Sequence, residues 1–213
     1  MSPPPSSPRR PGRPRSTDVD SREKLLAAAL LAFSELGFAG ASLRAIAVSA
    51  GFDVAMIFHH FGSKEGLWQA VVESMAADFQ QSLSHELVPL MEGDGPIAER
   101  VTRVLDVFVE KLIERPAVTM LIMREMPLPG ERRDFLVARL LRPSCDGLVP
   151  FWLEAMEAGL LRPSDPVLFH VGIFGAMAMI LAFRDVLPEL GAADMDLAEI
   201  KAHLYRGLLV DPT

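Results

Sequence analysis

Apolar residues recur at intervals of three and four along most of this chain, and this spacing constrains the fold more than any other feature. In the first such segment Leu26, Leu30, Phe33 and Leu36 lie on one side of a helix. No run alternates polar and apolar residues over the length that a sheet strand needs. The pattern therefore predicts an all-α protein.

Capping residues, prolines and glycines set the expected helix boundaries. Asp20 or Ser21 can cap the first helix, Asp53 the third and Ser63 the fourth. Proline and glycine runs separate the later helices. The predicted helices cover approximately residues 21–37, 43–50, 54–60, 63–90, 97–114, 116–126, a region from 131 to 159 that kinks near Pro143 and Pro150, 166–187 and 195–209.

Composition and charge narrow the class of protein. Half of the 213 residues are hydrophobic, which is enough to bury a core, and the single cysteine, Cys145, excludes an intrachain disulfide. The N-terminus lacks the apolar segment of a secretory signal, so a cytoplasmic protein is expected. Residues 1–65 carry 8 Lys/Arg against 6 Asp/Glu, and the remainder carries 13 against 22. A mildly basic head therefore precedes an acidic body.

Residues 42–67, SLRAIAVSAGFDVAMIFHHFGSKEGL, suggest two kinds of site that closer reading excludes. His59 and His60 cannot share a metal ion, because adjacent helical side chains point about 100° apart and nothing nearby completes a ligand set. Gly62, Ser63 and Lys64 follow a helix and lack the first glycine of a Walker loop. A helix that begins at Ser63 can still bind a phosphate through its N-terminus and Lys64.

The same residues fit a helix-turn-helix. The small Ala47 lets the second helix approach the third, and Gly51 supplies the positive φ of the tight turn between them. Phe52 and Ile57 fill the space between the helices, and Asp53 caps the third helix. A helix-turn-helix behind a basic N-terminus indicates a nucleic-acid-binding head.

A longer pattern extends this interpretation. It comprises ALLAFSELGF at residues 29–38, then Ser42, Ile46-Ala47, residues 50–53, Ile57-Phe58, His60-Phe61, residues 63–65 and Leu67. With these residues, the segment 21–68 resembles the DNA-binding domain of the TetR family of bacterial transcriptional repressors. The resemblance covers under a quarter of the chain, but its motifs are dense and specific. Phe58 departs from the family's usual Tyr and lacks its hydroxyl, and Asp53 replaces the usual Ser.

The resemblance implies a three-helix helix-turn-helix domain over residues 19–66 and a helical effector-binding and dimerisation domain over residues 67–213. It also implies that Ser42 and Lys64 bind phosphates on either side of the groove. The residues expected to face the bases are Val54, Ala55, Met56 and His59. Only His59 offers a strong hydrogen bond, so contacts with thymine methyl groups would supply the rest of the readout. The fourth helix is expected to be the only element that joins head and body.

Residues 1–18 are rich in proline, serine and arginine and are predicted to form a disordered basic arm. Residues 9–15 read RRPGRPR, and the Gly-Arg-Pro within them resembles an AT-hook core. Arg13 would then enter a narrow A·T minor groove. The alternative is a solvated tail that attracts DNA without sequence preference, and both interpretations stay open.

Two surfaces of the body are candidates for function. Methionines of TMLIMREM, residues 119–126, suit a pocket for varied apolar molecules, although methionine at this spacing is also typical of a core. The candidate pocket residues are Met120, Met123, Arg124, His170, Phe174 and Met177. The 17 uncharged residues 167–183 are barely long enough to span a membrane and are predicted to form a helix buried on all sides by protein. The candidate dimer interface combines the small-residue face of this helix with the last helix: Gly172, Gly175, Ala176, Met179, Phe183, Leu204 and Leu208.

The function that follows is a ligand-responsive DNA-binding regulator. It would be a homodimeric repressor that a small apolar effector releases from a palindromic operator in double-stranded DNA, without cofactor, metal or membrane. The alternative is a helix-turn-helix regulator controlled by a protein partner. An enzyme is not expected, because the sequence contains no nucleophile elbow, paired catalytic carboxylates or metal-ligand spacing.

Overall fold

The computed structural model describes residues 16–210 and confirms the predicted all-α class. Within that range the chain forms helices and loops without a sheet strand, and one isolated β-bridge pairs Leu161 with Leu209. The helices are α1 (Ser16–Gly40), α2 (Leu43–Ser49), α3 (Val54–Phe61), α4 (Lys64–Ser82), α5 (Val88–Met91), α6 (Ile97–Glu114), α7 (Pro116–Glu125), α8 (Glu131–Leu136), α9 (Arg142–Glu157), α10 (Pro166–Phe183) and α11 (Leu197–Leu208). A short 3₁₀ helix, Pro188–Leu190, precedes α11.

The first helix differs from its prediction at the N-terminal end. It begins at Ser16, so the last three residues of the predicted arm belong to α1, and residues 1–15 lie outside the described range. Regular helical geometry breaks at Gly37, with φ 73° and ψ 170°, where the sequence predicts the end. An added Cβ there would lie 3.2 Å from Nη1 of Arg124. Both the positive φ and the close approach of Arg124 therefore favour glycine.

Two helices widen into π-helical turns. Leu83–Leu87 joins α4 to α5, and Val137–Leu141 joins α8 to α9. The predicted helix over residues 63–90 and the kinked region after residue 131 are thus each one interrupted helix. Leu83 packs against Gly147 of α9, where an added Cβ would approach Leu83 Cδ2 to 2.8 Å.

The described residues form two hydrophobic cores. The first holds Phe33, Ile57 and Trp68, and it draws in Leu121 of α7 and Leu136 of α8. The second is built from α6, α9 and α10. Phe79 packs against both. The first core therefore continues across the predicted domain boundary at residues 66–67, and the border between the cores lies further along α4.

The expectation that α4 alone joins head and body is wrong. Helix α1 of the head packs along α7 of the body, in addition to its contact with α4. Leu25 and Phe33 of α1 are fully buried, and Leu30 packs partly against the same core, which also contains Leu121 of α7. Head and body are therefore joined by two packed interfaces.

The expectation that α10 is buried on all sides is also wrong within this chain. Only His170, Ile173 and Met177 of this helix are buried, whereas Leu168 is 71% exposed and Val171 is 60% exposed. By length and hydropathy alone α10 could cross a membrane, a property that it shares with core helices of soluble proteins. One broad apolar face of α10 is left uncovered by the residues that the structure describes.

Candidate nucleic-acid interface

The turn between α2 and α3 has the expected geometry. Ser42 caps α2 by accepting from the backbone N–H of Ala45 at 3.5 Å, and Asp53 Oδ1 accepts from Ala55 N–H at 2.9 Å. Gly51 has φ 82°, and Ala47 and Ile57 are fully buried. The two short helices are thus held at a fixed angle by one tight turn and a small packed wedge.

The outer side of α3 differs in part from the predicted base-facing set. Ala55 and His59 are exposed, whereas Val54 and Met56 are half-buried and pack partly against the first core. Phe58, which is 52% exposed, also lies on the surface. The sequence did not predict this position for Phe58, although an apolar residue beside the expected surface residue His59 was a signal for surface contact.

The start of α4 places a cation beside these helices. Ser63 caps α4 by accepting from Gly66 N–H at 2.9 Å. Lys64 Nζ donates to the carbonyl of Ala39 at 3.4 Å and lies 4.9 Å from the ring centroid of Phe38. The ammonium group is therefore held against the end of α1, next to a helix N-terminus that favours anions.

His60 packs inside the head. It is half-buried, and its Nε2 lies 3.0 Å from Ser21 Oγ in a hydrogen bond between α3 and α1. Its ring also lies edge-on to His59. His60 therefore packs α3 against α1 in the head.

The candidate effector residues do not come together. Met120, Met123 and Arg124 are exposed on α7, and Arg124 Nη2 donates to the carbonyl of Glu35 at 2.9 Å. His170 and Met177 are buried in the second core, and Phe174 packs partly against it. Arg124 thus borders the head, whereas Met120 and Met123 are exposed. The periodicity that predicts a helix does not specify which neighbour each face meets.

A buried polar group occupies the second core. Trp152 Nε1 donates to Nδ1 of His170 at 3.1 Å, and Nε2 of His170 lies 3.1 Å from Ser144 Oγ. Because Nδ1 must accept from the indole, the imidazole is neutral with its proton on Nε2. Burial lowers the pKa of His170 to about 4. Ser144 and Trp152 lie 26 and 18 residues from His170 in sequence, so local patterns gave no signal for this group.

The candidate dimer residues lie on two kinds of surface. Ala176, Met179 and Phe183 are exposed on α10, and an added Cβ at Gly172 or Gly175 would meet nothing within 4 Å. Leu204 and Leu208 of α11 are half-buried and pack against the second core of their own protomer. Tyr205 Oη of α11 donates to Asp106 of α6 at 2.8 Å, which fixes α11 against the body.

Comparison with solved structures supports the same fold. The hemolysin II transcriptional regulator HlyIIR aligns with a TM-score of 0.64 at 18% identity, covering 91% of this chain and 99% of that one. AibR, solved in complex with isovaleryl coenzyme A and operator DNA, aligns with a TM-score of 0.65 at 24% identity, covering 89% of this chain and 97% of that one. Identities at this level show the fold alone.

Sequence comparison identifies the family. The sequence-family model described as bacterial regulatory proteins, tetR family, matches residues 25–71. The regulator RaaS of Mycobacterium tuberculosis is 32% identical over 71% of this chain, which spans 65% of RaaS. The repressor NicS of Pseudomonas putida is 33% identical over 70% of this chain and 69% of NicS, and RutR of Escherichia coli K12 is 31% identical over 84% of this chain and 81% of RutR. These relatives are transcriptional regulators, not enzymes, and the chain belongs to the TetR family of bacterial helix-turn-helix transcriptional regulators.

Proposed function

We propose that the protein is a homodimeric repressor that binds a palindromic operator and is released from it by a small apolar effector. The observation that carries the proposal is the head: an exposed outer side of α3, flanked by the capped N-termini of α2 and α4. Helix N-termini favour phosphate oxygens, and a helix of this size fits the major groove. Ser42 and Lys64 are assigned to phosphates, and Ala55 and His59 to base edges.

Direct readout by α3 would depend mainly on apolar contacts. Val54 and Met56, although half-buried, stay in the proposed set because part of each side chain reaches the surface. Phe58 joins them as a contact to the sugar-phosphate backbone beside the bases. His59 is the one strong hydrogen-bonding side chain of the set.

The dimer is proposed from the uncovered face of α10. Five residues of this face, including Met179 and Phe183, offer apolar atoms that the described part of the protomer does not fully cover. Glycine and alanine between them allow a second backbone to approach closely across a two-fold axis. Two heads related by such an axis would match two inverted half-sites. Leu204 and Leu208 would contribute the parts of their side chains that remain accessible.

The effector is proposed to bind in the body. AibR, which has the same fold, was solved with both an acyl coenzyme A and operator DNA, so one chain of this fold can hold both kinds of ligand. Of the candidate pocket residues, His170, Phe174 and Met177 share the second core, so the proposal narrows to them. Met120 and Met123 are left out because they are exposed, and Arg124 because it binds the end of α1.

A helix-turn-helix regulator controlled by a protein partner is the second candidate, since the exposed face of α10 would also suit a different chain. A thermal melt with a panel of small apolar compounds separates the two. A small effector raises the melting temperature by mass action, whereas a protein-controlled regulator leaves it unchanged across the panel.

Selection from a random duplex library tests the proposed operator binding. The purified protein should enrich an inverted repeat whose half-site centres lie about one helical turn, or a multiple of it, apart. Sequencing the recovered duplexes gives both the half-site and its spacing. Recovery of unrelated sequences, or of a single unrepeated half-site, would contradict the palindromic operator.

Replacing Phe58 with tyrosine should tighten binding to the selected duplex about fivefold, the effect of one added net hydrogen bond of about 1 kcal/mol. The ring is already exposed on α3, so a hydroxyl can be added without repacking the core. Fluorescence anisotropy at fixed salt measures the change. Phe58→Leu, which adds no hydroxyl, should not tighten binding. Equal affinity of Phe58→Tyr and the wild type would mean that the ring does not lie near a phosphate.

The basic arm stays a prediction. Residues 1–15, including Arg13, lie outside the described range, and both interpretations of the RRPGRPR segment are retained. The arm would reach DNA from the start of α1, which belongs to the same head as α3.

A further inference from the structure

One aromatic ring contacts a cation from the head and a cation from the body. Phe38 follows the break at Gly37, and Lys64 Nζ lies 4.9 Å from the centroid of its ring. Cζ of Arg132, which belongs to α8, lies 4.2 Å from the same centroid. Both distances are within the range in which a cation is attracted to an aromatic ring. Phe38 thus connects the proposed phosphate-binding lysine with the body.

Arg132 is itself held on the body side. Its Nε donates to Oε2 of Glu125 at 3.2 Å, and Glu125 is only 2% exposed. The neighbouring Arg124 donates to the carbonyl of Glu35, next to the break in α1. The segment from residue 124 to residue 132, here called the α7–α8 corner, therefore holds the end of α1 at two points. A buried carboxylate such as that of Glu125 is costly without a cationic partner. The ion pair with Glu125 therefore strongly favours this position of Arg132.

We infer that Phe38 and Arg132 are positioning residues for Lys64, a role that rests on the proposed binding of operator phosphate by Lys64. A free lysine side chain samples many rotamers, and binding a phosphate must then offset that lost entropy. The ring of Phe38 and the carbonyl of Ala39 restrict the ammonium group before DNA arrives, and such preorganisation raises affinity. Arg132 fixes the ring.

The arrangement gives the body a direct route to a DNA contact. A movement of the α7–α8 corner relative to α1 would withdraw Arg132 from Phe38 and release Lys64. A cleft of about 360 Å³ between α4, α7 and α8, which Arg132 and Glu125 help to line, leaves space for that movement.

A double-mutant cycle tests the inference on the duplex that the wild-type protein selects from the random library. Lys64→Ala should weaken binding to every duplex and reduce the slope of log K against log salt by about 0.9. In the wild-type background, Arg132→Leu should weaken binding by roughly three- to tenfold. This loss corresponds to the lower part of the range of interaction energies between contacting residues. In the Lys64→Ala background Arg132→Leu should cause no further loss, because the residue that it positions is gone.

Two controls separate positioning from stability. Arg139 is a matched arginine of the body: it lies 5.5 Å from the ring of Phe135 and pairs with Glu73 at 3.0 Å, so Arg139→Leu should leave DNA affinity unchanged. Arg132→Lys keeps a cation for the ring and should retain most of the affinity. Arg132→Leu leaves the buried carboxylate of Glu125 without its partner, which could destabilise the fold. The cycle is therefore repeated with Glu125→Gln added to all four of its proteins: the wild type, the two single variants and the double variant.

Equal losses from Arg132→Leu in the wild-type and Lys64→Ala backgrounds, with or without Glu125→Gln, would overturn the positioning role. So would an Arg132→Leu protein that binds as tightly as Arg139→Leu. If the wild type selects no duplex at all, the proposed function itself fails, and the inference fails with it. If every Arg132 variant binds the selected duplex as tightly as the wild type does, the inference is rejected but the proposed function stands.

Discussion

Replacing Gly175 with leucine is expected to convert the proposed dimer into a monomer. An added Cβ at Gly175 meets nothing within 4 Å among the described residues of the protomer, so a larger side chain can begin here without a contact to its own chain. Leucine also favours a helix interior by almost 1 kcal/mol relative to glycine, so the isolated protomer should not lose stability. Overpacking the two-fold interface should cost on the order of 1–3 kcal/mol or more. Light scattering gives the mass in solution.

DNA binding should fall together with dimerisation. Two linked heads bind an operator more tightly than one head does, by a factor on the order of a hundred or more. A monomer loses this gain in affinity. Ala77→Leu is a matched control, because Ala77 is an exposed small residue on α4, away from α10. It should leave both mass and affinity unchanged. A Gly175→Leu protein that stays dimeric and binds the operator normally would place the interface on another face.

Acidification from pH 7 to pH 4 is expected to remove on the order of 3 kcal/mol of stability through His170 alone. The folded-state pKa of His170 is lowered by burial to about 4, against an ordinary value of about 6.5. Between these values the unfolded chain binds a proton that the folded chain does not, so the free energy of unfolding falls as pH falls. Above pH 6.5 the imidazole is neutral in both states, and the full stability is present.

Urea denaturation at several pH values and one protein concentration measures this effect. Carboxylates also titrate near pH 4, so the comparison is between the wild type and His170→Gln. The difference between their free energies of unfolding should shrink by most of that amount from pH 7 to pH 4. His85→Gln, at an exposed position, should follow the wild-type profile. A difference that stays constant with pH would mean that protonation of His170 is not linked to unfolding.

The helices of the head could be predicted from sequence because their signals are local. Ser42, Asp53 and Ser63 each cap the helix that follows within three residues, and Gly51 supplies its turn in the same short segment. Such signals depend on the free backbone N–H groups of the first helical turn, a few residues away. These groups are arranged in the same way at the start of any α-helix, whatever the fold. The start of α1 was predicted less well, because several residues in that region are able to cap.

The contacts between distant elements could not be predicted in this way. Met120 and Met123 have the spacing of a buried face, yet each is 49% exposed, because hydrophobic spacing shows that a face exists and not what covers it. Trp152 and His170, or Arg132 and Phe38, meet only after the helices have packed. Which of the candidate pocket residues would share a core could not be predicted for this reason, whereas the small-residue face of α10 could be found from one helix alone.

The two π-helical turns have a consequence for changes in chain length. A π-helical turn holds about one residue more than the α-helical turn it replaces. Here the two π-helical turns lie near the border between the two cores, one in each long helix that crosses this border. Losing one residue from Leu83–Leu87 would restore regular α-helical hydrogen bonds and leave the orientation of the residues after it nearly unchanged, because the wider turn already absorbs the extra residue. Met91 would therefore keep its place in the second core. The same loss from a regular stretch of α4 would instead rotate everything after it by about 100° around the helix axis. Single-residue deletions at these turns would thus be accommodated without reorienting the body on its head.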